Sequence, residues 1–337
     1  MLVIHVGPHK TATTYIQHYL YRNARRLGRQ GWTYPEIEGA VISDAHHDLA
    51  HRADAYLEKG TPQNDMLRGW ADVGPNLLLS AEGFRMWDAD RFDRLADVLG
   101  ATDYVLVFAL REPISALWSY WAEEIKQGQT IPLAEKFGRF ACNPMTSYLM
   151  NACIDFERYR ESPRAGLRVM PFDLLVEDGV DIAAHMVEVV LGLSTEGFAV
   201  PRRANERIPI ELTEFLRLIS ILRSGGARAA GSAFRLAFMR HISPDDRRHV
   251  IETMRDHARP ARRAVGFSHR PDFLDPLKAR IREQAKDAWT YDVDGREIFA
   301  EPKLQSPSYN AALALQIPEV RAELDRVIAL IEPHLKD

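Results

Sequence analysis

Cysteine is nearly absent from this chain: Cys142 and Cys153 are the only two in 337 residues, and neither belongs to a Cys-x-x-Cys pair or a Cys/His cluster. A disulfide framework is therefore excluded, and both are read as buried thiols. No run reaches the roughly eighteen apolar residues that a membrane span needs. The opening Met1-Leu2-Val3-Ile4 carries neither a basic segment nor a small-residue cleavage site, so a soluble, cytoplasmic chain is expected. A basic excess is missing as well. The formal charge of −4 argues against a partner such as nucleic acid, so any polyanion must be met locally.

What is present is globular. Hydrophobic residues make up 46% and charged residues 27%, and no stretch is polar and aromatic-poor enough for disorder, so the whole chain is expected to fold. Residues 2–6 form an apolar run closed by Gly7-Pro8, the pattern of a buried strand followed by a turn. From Thr13 onward, Tyr15, Ile16, Tyr19, Leu20 and Leu27 keep a helical period, with threonines ahead of them placed to cap the first turn. Further strands are expected at 76–80, 104–110 and 167–172, with helices at 149–160 and 182–191. Strands alternating with helices predict an α/β fold, a three-layer αβα sandwich on a mostly parallel sheet. Beyond Pro201 the helical periods at 211–222, 249–259 and 320–330, broken at Gly225-Gly226, predict no further parallel strand. The expected division is an α/β core over 1–204 and a helical extension over 205–337 packed on it.

The segment Gly7-Pro8-His9-Lys10-Thr11-Ala12-Thr13-Thr14 lies between strand and helix, where backbone N–H groups and the helix dipole converge on an anion. Lys10 adds a positive charge, and Thr11, Thr13 and Thr14 add hydroxyl donors. No glycine precedes Lys10, so the Walker A pattern G-x-x-x-x-G-K-[ST] is not met. The segment instead resembles the first motif of the sulfotransferases that use 3′-phosphoadenosine 5′-phosphosulfate (PAPS), a strand followed by Pro-x-[Lys/Arg]-[Ser/Thr]-Gly-Thr-Thr. Ala12 stands at the family's glycine. A second part of the resemblance is Arg111-Glu112-Pro113 at the end of the third strand, with Ser119 eight residues after the arginine. In that family the arginine and serine hold the 3′-phosphate, and an arginine fork at a strand end suits a phosphate. More loosely, the late strand closing in Phe172-Asp173-Leu174-Leu175 and the run Asn205-Glu206-Arg207 are similar to bacterial members.

The resemblance implies transfer of a sulfuryl group from PAPS to an acceptor hydroxyl or amine, leaving adenosine 3′,5′-bisphosphate (PAP). Small-molecule, glycan or lipid acceptors are the implied partners. His9, Lys10, Thr11, Ala12, Thr13, Thr14, Arg111 and Ser119 are then the donor-binding residues, and Lys10 meets the charge on the leaving phosphate. No metal is expected. Glu82, just past the second strand, is placed to take the acceptor's proton, with His47 as a competing base beside His46 and His51. Two other classes stay open: a P-loop-type nucleotide or small-molecule kinase, and a module that binds a phosphorylated ligand without turnover. Arg202-Arg203 is a basic pair that could receive an anionic substrate or face solvent.

Overall fold

The computed structural model describes residues 1–37, 44–201, 208–225, 232–268 and 272–335; Arg202, Arg203, Asn205, Glu206, Arg207 and Gly226 lie outside them. The chain is α/β. A four-stranded parallel sheet is built from β1 (Leu2–Gly7), β2 (Leu77–Ser80), β3 (Tyr104–Leu110) and β4 (Ala165–Pro171), in the order β2-β1-β3-β4. Every residue of β1 and β2 is buried, which is why both read as continuous apolar runs and not as an alternation. β1 pairs in register with β2 from Leu2↔Leu77 to His5↔Ser80 and with β3 from Leu2↔Tyr104 to His5↔Val107, and a bulge lies between His5 and Gly7. One face carries Val3, Leu78, Val107 and Met170 against Ile16, Tyr19 and Leu20 of helix α1 (Thr13–Arg22). On the other, the ring of Phe108 meets Phe156 of the Cys153–Tyr159 helix edge-on, with centroids 5.2 Å apart.

The chain divides into two compact units that are not contiguous in sequence, which corrects the expected boundary at 204/205. The first comprises Met1–Ala116, Tyr148–Asn205 and Phe273–Glu301. Its last segment returns to the sheet: Val169 of β4 donates its N–H to Ala288 O at 2.8 Å, and Thr290 donates back to Val169 O at 3.0 Å. Residue Thr33 makes a similar single bridge to Leu77 of β2.

The second unit comprises Leu117–Ser147, Glu206–Asp272 and Pro302–Asp337. Its helices Ile210–Ser224, Pro244–Asp256 and Pro318–Ile331 pack together, as their sequence periods predicted. It is not purely helical, because β5 (Arg262–Gly266) and β6 (Gln305–Tyr309) form an antiparallel ribbon. Buried Glu214 and Arg217, 2.7 Å apart, tie the first of these helices to β6: Arg217 Nη2 donates to Tyr309 O and Ser308 Oγ to Glu214 Oε1, each at 2.6 Å. Cys153 is buried as expected, whereas Cys142 is exposed. Among the described residues no helix is long and apolar enough to cross a membrane.

Candidate functional site

Parallel strands deliver their carboxyl ends to one side of a sheet, so strand order alone sets the lateral order of the loops and turns that leave them. After β2 comes Glu82, after β1 the loop 8–12, after β3 Arg111, and after β4 Phe172 and Asp173. With neighbouring strands about 4.8 Å apart, the loop sits between the Glu82 and Arg111 strands. The chain leaves β1 toward β2 on one side and β3 on the other, the switch-point arrangement at which open α/β sheets bind ligands.

The loop makes its turn with three residues at positive φ: Gly7 at 90°, Lys10 at 69° and Ala12 at 61°. For Lys10 and Ala12 that left-handed backbone is held against a local preference. Ala12 stands at the N-cap of α1, and no side chain caps that helix. The expected threonine caps are therefore not made, because an alanine occupies the N-cap position. Buried Thr11 donates to Pro8 O at 2.7 Å and braces the loop. Thr13 donates to Glu82 Oε1. Half-buried Thr14 and the first-turn amides of α1 remain as the donor set that a helix N-terminus offers an anion, with Lys10 in the same loop.

Glu82 begins a short 3-10 turn, Glu82–Met86, and its side chain is only 14% exposed. Its Oε1 lies 3.8 Å from Nδ1 of the half-exposed His9, and its Oε2 lies 3.5 Å from Nε2 of His47. Partial burial lowers the basicity of His9; Glu82 opposes that shift, while the Arg85 and Lys10 cations add to it. His47 opens the His47–His51 helix, and its ring stacks on that of His51 at 6.2 Å and 16°. His51 in turn covers Gly83, where an added Cβ would lie 3.0 Å from Ala50 Cβ and 3.2 Å from His51 Cε1. His46 is a structural residue and not a base. Ser80 N donates to its Nδ1 at 3.0 Å, its Nε2 donates to Pro35 O at 2.9 Å, and burial drives its pKa down to about 4.

Arg111 reaches the loop directly, with Nη1 donating to Lys10 O at 2.8 Å. Its guanidinium lies over the Phe172 ring, 5.4 Å from the centroid, and Asp173 Oδ2 accepts the N–H of Glu112 at 2.6 Å. Phe172 thus lies under the Arg111 guanidinium, and Asp173 holds the backbone of the next residue. Glu112 is fully buried and caps the Pro113–Lys126 helix by accepting from Ile114 N at 3.1 Å and Ser115 N at 2.6 Å. Burial raises its pKa, as it does that of Asp173, against those bonds and the nearby Lys278. Ser119 lies on the same helix as Pro113 but in the second unit.

Sequence reasoning missed Arg85, Asp155 and Lys278. Arg85 lies in the Glu82 turn and donates through Nε and Nη2 to Asp155 Oδ2, at 2.9 and 2.6 Å, and to Tyr148 O. Asp155 also accepts from Arg158 at 2.6 Å, so a buried carboxylate pins the turn that carries Glu82. Lys278 Nζ stands 3.8 Å from Glu112 Oε1. The position of Arg85, three residues after Glu82, was a usable signal; Lys278 had none. Among the described residues no group of three or more His, Cys, Asp or Glu is arranged to hold a metal ion. No family model, curated protein or solved structure matches the chain.

Proposed function

We propose that the chain is a sulfotransferase of the three-layer αβα kind, moving a sulfuryl group from PAPS to an acceptor hydroxyl or amine. The observation that carries this reading is the bond from Arg111 Nη1 to Lys10 O, which joins the two sequence motifs at the ends of adjacent parallel strands. The uncapped first turn of α1 beside Lys10, and a shielded carboxylate on the other side of the loop, support it further.

In this reading the acceptor oxygen attacks sulfur as the bond from sulfur to the phosphate oxygen breaks. Lys10 and the amides at the start of α1 meet the charge that gathers on the leaving phosphate, and Arg111 takes the 3′-phosphate of the donor. Glu82 receives the acceptor's proton; Thr13 holds it in place to do so. Thr11 serves the loop's shape.

Titration calorimetry with PAP tests the proposal, with ATP plus Mg²⁺ as the comparison. Tight binding of PAP that Arg111→Ala loses, with little heat from ATP, is the expected result. Binding of ATP and not of PAP would remove the proposal and favour a kinase.

A further inference from the structure

We propose that His47 is the proton exit of Glu82, a positioning residue that returns the carboxylate to its basic form after each transfer. The inference rests on the sulfotransferase reading and extends it from the group that takes the proton to the group that disposes of it. Glu82 is poorly placed to do that alone. Its side chain is 14% exposed, and Oε1 is engaged by the Thr13 hydroxyl with His9 beside it. Oε2 is the oxygen that faces His47, with Nε2 at 3.5 Å, and the His47 side chain is the more exposed of the two at 22%.

The groups around His47 come from three elements. Glu82 is on the turn after β2, His9 is on the loop, and His46 and His51 belong to its own segment. Of the two neighbours on that segment, His46 is locked neutral between Ser80 and Pro35, and the exposed His51 stacks on the His47 ring. Imidazole both accepts and releases protons through its ring nitrogens, and Nε2 of His47 stands at the Glu82 oxygen that Thr13 leaves open, on the more exposed side of the pair, so it gives a proton arriving on Glu82 a way out.

The acceptor O–H proton goes to Glu82 while the new O–S bond forms and the S–O bond to phosphate breaks. The carboxylic acid then passes the proton to the Nε2 lone pair of His47, in the tautomer carrying its hydrogen on Nδ1, and the imidazolium releases it to water. Glu82 is left as the carboxylate, ready for another acceptor.

The test measures turnover of PAPS with water as the acceptor, together with PAP binding by calorimetry, in the full chain and in His47→Ala, Glu82→Gln and the double variant. His47→Ala is expected to bind PAP within twofold of the unaltered chain and to turn over about tenfold more slowly, with added imidazole restoring the rate. The double variant is expected to be no slower than Glu82→Gln alone, because His47 acts only through Glu82. An unchanged rate in His47→Ala, a loss that imidazole does not restore, or losses that multiply in the double variant would each overturn the relay and leave the donor site standing. Failure of the unaltered chain to bind PAP would overturn the donor reading and the relay with it.

Discussion

Thr13 donates its hydroxyl to Glu82, so the residue that opens α1 also fixes the carboxylate at the end of β2. One bond thereby couples the geometry of the anion-binding turn to that of the proton acceptor. The N-terminus of α1 is bare for a separate reason: Ala12 holds the N-cap position and has no side-chain acceptor to offer the helix's first amides. Thr13→Val keeps the shape of the side chain and removes the donor. It is expected to leave PAP binding within a few-fold and to slow PAPS turnover about tenfold, whereas Thr13→Ser keeps both.

Ala12 is held at φ 61°, a backbone that glycine adopts without cost. Ala12→Gly is expected to stabilise the fold by about 0.5–1 kcal/mol in a urea unfolding series. Destabilisation by the glycine would mean that the methyl group's packing outweighs the backbone preference.

Two buried histidines set a pH dependence. Burial pushes His5 and His46 down to about 4 from an ordinary value of 6.5. The unfolded chain therefore takes up protons first as pH falls. The histidine contribution is fully present above pH 6.5, is lost on acidification, and levels off once pH passes below about 4. Each histidine should cost about 1.4 kcal/mol per pH unit across that window. Glu112 and Asp173, raised by burial, act in the opposite sense. The check is the difference between the unaltered chain and His5→Asn over pH 5–6.5, where the substituted chain should show a shallower slope by about that amount.

Buried Asp155 holds two guanidinium groups, the buried Arg85 and the partly exposed Arg158. Asp155→Ala leaves both cations without their carboxylate and should destabilise the first unit by about 3–5 kcal/mol. Differential unfolding measurements check this. Asp155→Asn keeps an acceptor oxygen and should lose less.

The sheet was legible where burial is continuous. The run 104–110 has the bounds of β3, and 76–80 contains β2, because strands covered on both faces show their burial directly in composition. The partners of single side chains were not legible. Thr11 and Thr13 carry the same hydroxyl as a helix cap would, and only the folded loop decides that one goes to Pro8 and the other across the sheet to Glu82. Arg85 finds Asp155, 70 residues further along the chain, and Lys278 finds Glu112, which no local pattern encodes. β5 escaped notice because four of its five residues are exposed, so neither an apolar run nor an alternation marks it. The division into units depends on which distant segments touch, and the helical texture beyond residue 205 concealed the return of 273–301 to the first unit.

That return determines how this protein can be cut. Ala288, Trp289 and Thr290 lie along Val169 as a single bridge on the outer side of β4, as Thr33 does on the outer side of β2. Shortening the chain to its first 204 residues would uncover the N–H and C=O of Val169 and remove the segment that covers this side of β4, leaving an open sheet edge of the kind that templates pairing with another copy. Such a fragment is expected to self-associate in light scattering at concentrations where the full chain does not, and a fragment that retains 273–301 is needed to keep the sheet closed to its neighbours.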